Sequence, residues 1–86
     1  MQSSKILKFY SPSCMPCKLL TNVLKQLEVA YEDIDITDDN NSQLVMKYNI
    51  WTVPTLVKVD GVGNEINKLI GFPKTNIIEE FCNEIN

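Results

Sequence analysis

The stretch Tyr10-Ser11-Pro12-Ser13-Cys14-Met15-Pro16-Cys17-Lys18 places two cysteines three positions apart. Before it, residues 5–10 form an apolar and aromatic run, which is typical of a strand covered on both faces. After it, apolar residues recur with the spacing of an amphipathic helix from residue 15 to about residue 29, with Pro16 in the first turn. The sequence therefore predicts a strand, a tight loop, a Cys-x-x-Cys motif and a helix, in that order.

The rest of the chain continues this alternation of strands and helices. Residues 30–36 and 55–60 read as strands, 65–70 as a fourth strand in a hairpin, and 44–48 as a short helix that Asn49 ends in the left-handed conformation. The last helix has the apolar stripe Ile77, Ile78, Phe81, Cys82 and Ile85. A strand–helix–strand crossover makes the first two strands parallel, and the hairpin adds an antiparallel pair. We predict an α/β fold of order βαβαββα, a four-stranded mixed sheet with helices on both faces.

Length and composition narrow the class of protein. The chain has 86 residues, which predicts a single domain over 1–86, and a formal net charge of −3 with no basic cluster. This argues against nucleic acid and against anionic membrane surfaces as partners. The apolar runs are too short for a transmembrane helix, and the first five residues do not resemble a signal peptide. We expect a monomeric cytoplasmic protein.

The motif predicts disulfide exchange. Cys14 lies at the start of the first helix, where free N–H groups, the helix dipole and the nearby Lys18 favour a thiolate and lower the pKa of this cysteine. Cys17, one turn later, should face inward. We expect Cys14 to attack a substrate disulfide and Cys17 to resolve the mixed disulfide, with no cofactor beyond this redox-active pair.

Metal binding is the main alternative for these residues. A zinc site needs about four ligands, but the chain has no histidine and only one further cysteine, Cys82, so we predict no metal. Cys82 lies on the apolar stripe of the last helix, where a small buried hydrophobe is the simplest interpretation. The five acids between Glu32 and Asp39 read as a solvent face and a capping loop, without the ordered ligands of a calcium site.

With the motif and the element order established, the chain resembles the thioredoxin/glutaredoxin superfamily. Residues 9–18 are similar to its active-site segment, residues 47–56 to the segment around its cis-proline, and Gly71 to the glycine that borders the substrate groove. The resemblance implies that Pro54 is cis and that Val53 lies beside Cys14, where its backbone pairs with an extended substrate. The groove it implies consists of Met15, Pro16, Trp51, Thr52, Val53, Pro54 and Gly71. The chain has the short, glutaredoxin-sized core, as expected for a phage or prokaryotic member.

Two departures from the family pattern bear on function. The stretch Gly71-Phe72-Pro73-Lys74 lacks the glycine pair and acidic residue that glutaredoxins use for glutathione. Lys8 replaces the buried aspartate that thioredoxins usually carry six positions before the first cysteine. A lysine there could be a neutral base or a cation that stabilises a thiolate, but we favour a snorkelling or paired structural role. Ser13 replaces the usual tryptophan, and Trp51 could supply the exposed aromatic surface instead.

The resemblance also implies partners. We expect electrons from thioredoxin reductase or from glutathione, and protein disulfides as substrates, including that of a ribonucleotide reductase. A protein-disulfide reductase is the function we favour. A glutathione-dependent, glutaredoxin-like electron donor is the alternative within redox chemistry. A non-catalytic binding module of the same fold is the alternative from another class.

Overall fold

A computed structural model describes residues 4–83. Its elements follow the predicted order, with a short 3-10 turn at Asp39–Asn41 before the second helix. They are β1 (Lys5–Tyr10), α1 (Met15–Gln26), β2 (Glu32–Asp35), α2 (Ser42–Lys47), β3 (Thr55–Val59), β4 (Glu65–Ile70) and α3 (Thr75–Asn83). The predicted α/β fold with its four-stranded mixed sheet is confirmed.

The four strands are arranged in the order β2-β1-β3-β4. β1 runs parallel to β2, with Lys8 opposite Asp33, and antiparallel to β3. β3 and β4 form the predicted antiparallel hairpin, with an irregularity in register between Lys58 and Val59. Because β1 and β3 are neighbours, the loop that follows β1 and the loop that precedes β3 lie at the same end of the sheet.

The sheet separates two apolar clusters. On one face, Leu20 and Leu24 of α1 pack with Ile78 and Phe81 of α3. On the other face, Tyr48, which caps α2, packs with Phe9. All residues of β3 are buried. Helices therefore cover both faces, as predicted, with α1 and α3 sharing one of them.

The predicted end of the first helix was wrong by about three residues. α1 ends at Gln26 because Glu28 adopts a left-handed conformation with φ of 57°. The Glu28 and Val29 amides donate to the carbonyls of Lys25 and Leu24, which is the hydrogen-bond pattern of a Schellman cap. The apolar stripe continues past this cap, so periodicity alone overran the helix.

Other predicted boundaries differ by smaller amounts. β2 is shorter than the predicted 30–36, β3 ends at Val59 rather than at residue 60, and α2 occupies Ser42–Lys47 rather than 44–48. Asn49 has φ of 53°, so its predicted left-handed role after α2 is confirmed. Ile85, the last residue of the predicted stripe, lies outside the described residues.

Candidate active site

Cys14 and Cys17 form a disulfide, with their Cα atoms 5.2 Å apart. Cys14 is the N-cap of α1, with extended backbone angles, and its amide donates to the Ser11 carbonyl at 3.2 Å. The Cys17 amide donates to the Cys14 Sγ at 3.1 Å. Pro16, in the first turn as predicted, has no N–H to satisfy. The Cys14 sulfur thus accepts one of the free amides that begin a helix, an arrangement that stabilises a thiolate.

The two sulfurs differ in access. Cys14 is partly exposed, whereas Cys17 is only 2% exposed. The Thr21 hydroxyl donates to the Cys17 carbonyl at 3.1 Å in the same helix. The expectation that Cys17 faces inward is confirmed. A large substrate can reach Cys14, but not Cys17, without a change in conformation.

The loop before β3 approaches the loop after β4. The Val53–Pro54 peptide bond is cis, as the resemblance implied. The Gly71 amide donates to the Pro54 carbonyl at 2.9 Å, and the Thr55 hydroxyl donates to the Thr52 carbonyl at 2.8 Å. Gly71 has φ of 88°, which disfavours a side chain even though a Cβ would meet open space. Pro54 and Gly71, both predicted groove residues, are therefore brought together.

Apolar side chains project into solvent from these loops and from the start of α1. Trp51 is 91% exposed and Met15 is 61% exposed, while Thr52 and Pro16 are also exposed and Val53 is partly buried. The predicted exposed position of Trp51 is confirmed. Single exposed apolar side chains are ordinary, whereas a contiguous group of them marks an interaction surface.

Two apolar residues near Gly71 were not predicted. Ile70 is 61% exposed and Phe72 is 40% exposed. Both flank the glycine that hydrogen-bonds to Pro54. The signal that could have found them was their position directly beside a predicted groove residue.

Lys8 is buried and paired. It is 3% exposed, and its Nζ lies 2.6 Å from the Asp33 carboxylate, whose side chain is 46% exposed. The same Nζ lies over the rings of Tyr10, at 4.6 Å, and Tyr31, at 5.6 Å. The pairing included in the favoured expectation for Lys8 is observed, while its role stays a prediction. Sequence reasoning did not identify Asp33, although parallel pairing of β1 with β2 places an acid of the second strand beside Lys8.

A cavity of about 180 Å³ joins this ion pair to the buried cysteine. Its lining comprises Lys8, Tyr10, Ser11, Pro12, Cys17, Lys18, Thr21 and Asp33. Partial burial and the carboxylates of Asp35, Asp33 and Asp38 raise the pKa of Tyr10, so this phenol is neutral at physiological pH. Lys18 itself is exposed. The residues predicted to modulate the cysteines, Lys8 and Lys18, thus meet at one cavity.

The environment of Cys82 differs from the one expected. The residue is partly buried rather than fully buried, and packs at the border of the cluster formed by α1 and α3. Burial raises the pKa of its thiol, and the charge of Lys58 opposes this rise. Over residues 4–83, no group of three or more potential ligands is arranged to hold a metal ion. Within the same range, no helix has the length and hydrophobicity to cross a membrane.

A solvent-accessible disulfide at a helix N-terminus, on this sheet, defines a thiol–disulfide oxidoreductase. The comparisons agree with that class. The sequence model of the Thioredoxin family matches residues 1–84, and the chain belongs to this family.

Individual relatives and structures extend the match. The chain is 28% identical over 81 residues to the SPbeta prophage-derived thioredoxin-like protein YosR of Bacillus subtilis, covering 94% of this chain and 98% of that protein. It is 32% identical over 80 residues to thioredoxin of Staphylococcus aureus, and the match covers 87% of this chain and 76% of that protein. The solved structure of a mutant thioredoxin from Halobacterium salinarum superimposes on this chain with a TM-score of 0.75 at 27% sequence identity. The superposition covers 96% of this chain and 77% of that one.

Proposed function

We propose that this protein reduces disulfides in other proteins, with Cys14 as the nucleophile and Cys17 as the resolving cysteine. The unequal environment of the two sulfurs carries this proposal. Cys14 is partly exposed and accepts a hydrogen bond from a helix amide, whereas Cys17 is 2% exposed, one turn further along α1. Only the first sulfur is both accessible and placed where a thiolate is stabilised.

The reaction consists of two exchanges. In the dithiol form, the Cys14 thiolate attacks one sulfur of a substrate disulfide, and the other substrate sulfur leaves as a thiolate with the electron pair of the broken bond. Cys17 then loses its proton and attacks the Cys14 sulfur. The second substrate thiolate leaves, and the Cys14–Cys17 disulfide forms. Two electrons pass to the substrate, and the dithiol must be restored by a reductant.

The substrate binds, in this proposal, to the surface formed by Met15, Pro16, Trp51, Thr52, Val53, Pro54 and Gly71. The exposure of Trp51 and Met15 and the hydrogen bond between Gly71 and Pro54 support this role. The backbone of Val53 pairs with an extended substrate segment. Apolar contacts then supply affinity without demanding one substrate sequence.

Reduction of insulin by dithiothreitol tests the function. The wild-type protein should accelerate the reaction, and Cys14→Ser should abolish the acceleration, because it removes the attacking thiolate. When mixed with insulin in the absence of dithiothreitol, reduced Cys17→Ser should accumulate a mixed disulfide through Cys14, visible as a mass increase that later addition of dithiothreitol reverses. Cys82→Ser is the matched control and should remain active. A folded wild-type protein that does not accelerate the reaction would exclude this function.

We further propose a cytoplasmic protein that receives electrons from an NADPH-dependent thioredoxin reductase. Membership of the thioredoxin family and the absence of a glutaredoxin-type glycine pair at Gly71-Phe72-Pro73 support this reductant over glutathione. A ribonucleotide reductase is one protein-disulfide substrate to assay. Recycling of the oxidised protein by the reductase, with no recycling by reduced glutathione, is expected. The reverse result would favour the glutaredoxin-like alternative.

A further inference from the structure

The resolving step of the proposed mechanism needs something that the helix N-terminus does not supply. Cys17 must become a thiolate to attack the mixed disulfide. The residue is 2% exposed, and burial disfavours the charged form of a thiol. The amide that stabilises a thiolate at the start of α1 donates to Cys14, not to Cys17. The second exchange is therefore slow unless another group stabilises the Cys17 thiolate.

Cys17 lines a cavity together with residues of β1, β2 and α1. The titratable groups in its lining are Lys8 and Tyr10 from β1, Lys18 from α1 and Asp33 from β2. Lys8 and Asp33 therefore share one cavity of about 180 Å³ with Cys17, so a charge on Lys8 acts on Cys17 from within the same site. Tyr10 is neutral, because its pKa is raised. Lys18 is exposed, where water screens its charge.

Lys8 and Asp33 are arranged asymmetrically in this cavity. The Lys8 side chain is 3% exposed, while the Asp33 side chain is 46% exposed and reaches solvent. Water screens the outer charge more strongly than the inner one. The ion pair therefore presents a net positive field to the buried interior, where Lys8 Nζ contacts Asp33 and the Tyr10 ring.

From this arrangement we propose that Lys8 is a positioning residue for the resolving step: its ammonium, anchored by Asp33, stabilises the Cys17 thiolate across the shared cavity. The proposal rests on the role of Cys17 in the proposed function. The Cys17 proton leaves through the cavity to solvent beside Asp33. The thiolate electron pair forms the Cys14–Cys17 bond, and the substrate thiolate leaves. Lys8 is neither oxidised nor reduced and exchanges no proton in this step.

Direct titration of Cys17 gives the first test. In a Cys14→Ser/Cys82→Ser variant, where Cys17 is the one remaining cysteine, the ultraviolet absorbance of the thiolate is followed against pH. The stabilising cation should hold the midpoint at or below the value of about 8.5 for a free cysteine, despite burial. A midpoint more than about one pH unit above that value would overturn the proposal. This measurement needs no change at Lys8.

The second test removes the positive charge of Lys8. Lys8→Gln keeps a hydrogen-bond donor for Asp33 on an uncharged side chain that is one atom shorter, and Lys8→Met is the alternative if the glutamine variant does not fold. In the same double-serine background, either change should raise the Cys17 midpoint by about one pH unit, the low end of the effect of a nearby opposite charge. The matched control is Lys5→Gln. Lys5 makes an exposed ion pair with Glu32 on the same two strands, at 3.6 Å, outside this cavity.

A kinetic test separates this proposal from the proposed function. The reduced protein is mixed with a chromogenic aromatic disulfide, which releases one thiolate when Cys14 attacks and another when Cys17 resolves. At neutral pH, a midpoint raised by one pH unit lowers the thiolate fraction about tenfold and raises its intrinsic nucleophilicity about threefold, so the second phase should slow about threefold. The first phase should be unchanged.

The possible outcomes are distinct. Equal second phases and equal Cys17 midpoints for the wild-type protein and the folded Lys8 variants would overturn the role of Lys8, while the proposed function survives. Absence of both phases from the wild-type protein would overturn the proposed function itself. A Lys5→Gln variant that slowed the second phase as much as Lys8→Gln would assign the effect to general surface charge and overturn the proposal.

Discussion

The three cysteines of the chain occupy three environments, and these environments set their reactivity. Cys14 is partly exposed and hydrogen-bonded to a helix amide, Cys17 is buried beside the cavity that contains Lys8, and Cys82 is partly buried in an apolar border. A thiolate is stabilised by donors and cations and disfavoured by apolar surroundings. Cys82 lacks the helix-amide bond, so it should be the least reactive of the three.

Alkylation of the oxidised protein tests the low reactivity expected of the Cys82 thiol. The Cys14–Cys17 disulfide protects the other two sulfurs. Because burial raises the pKa of Cys82, its thiol is protonated at neutral pH and reacts only as pH rises past its folded pKa. Iodoacetamide at pH 8 should label Cys82 several-fold more slowly than a cysteine in an unstructured peptide, as measured by intact mass. Equal rates would contradict this environment.

Residue-level prediction succeeded where local rules sufficed. The spacing of Cys14 and Cys17 at a helix start predicted which sulfur is accessible, because the N-terminus of a helix is exposed and its next turn packs inward. Asp33 was not predicted as the partner of Lys8, because that contact depends on the register between β1 and β2. Register follows from the packing of the whole sheet and is not encoded by either strand alone.

At the level of elements, the ends of the helices also show what local sequence can and cannot predict. α2 ends with Asn49 in the left-handed conformation, and its amide and that of Ile50 donate to the carbonyls of Met46 and Val45. Asparagine tolerates this conformation, so the sequence predicted it. α1 ends in the same pattern at Glu28, a residue with no such preference. Glu28 is exposed, but its neighbours Leu27 and Val29 pack against the core, so the end of this helix depends on contacts that the local sequence does not reveal.

The β3–β4 hairpin has a local determinant that can be tested. The Asp60 carboxylate accepts hydrogen bonds from the amides of Val62 at 3.0 Å and Asn64 at 2.9 Å. The Tyr48 hydroxyl donates to the Gly63 carbonyl at 2.6 Å and connects this turn to α2. These bonds to the charged carboxylate, that from Asn64 most of all, lower the pKa of Asp60 below its usual value of 3.8.

The ionisation of Asp60 should make the stability of the protein depend on pH. A carboxyl with a lowered folded pKa stabilises the fold above its unfolded pKa, and that contribution is lost as pH falls through the folded pKa. Asp60→Asn keeps an oxygen acceptor but cannot ionise. The thermal midpoint of the wild-type protein should exceed that of the variant at about pH 6, and the difference should shrink below about pH 4. A pH-independent difference between the two proteins would contradict the predicted ionic contribution.

At the scale of the whole molecule, the sheet brings distant segments together. Cys14 follows β1, Pro54 precedes β3 and Gly71 follows β4, and the order β2-β1-β3-β4 places the ends of these strands side by side. Periodicity predicted the strands and the two connection types, but the adjacency of β1 and β3 depends on the non-local pairing of the sheet. The cis bond at Pro54 was inferred from family resemblance, since local sequence rarely specifies it.

The redox state of the site should therefore change the stability of the whole domain. The disulfide joins residues three positions apart, and the chain-entropy model assigns a loop of this size about 2 kcal/mol at 25 °C. For a domain whose total stability is about 5–15 kcal/mol, this is a substantial share. The oxidised protein should unfold at a urea concentration about 1–2 M higher than the reduced protein, at an m-value of about 1–2 kcal/mol/M.

The Cys14→Ser/Cys17→Ser double variant separates the cross-link from other effects of the reductant. It cannot form the disulfide, so it should unfold near the reduced wild-type protein whether or not dithiothreitol is present. Cys82→Ser should retain the full difference between oxidised and reduced forms, because Cys82 lies outside the disulfide. Coincident unfolding curves for oxidised and reduced wild-type protein would mean that the native fold gains nothing from the cross-link. By thermodynamic linkage, folding would then leave the reduction potential of the cysteine pair unchanged, because any preference of the fold for one redox state must appear equally in both measurements.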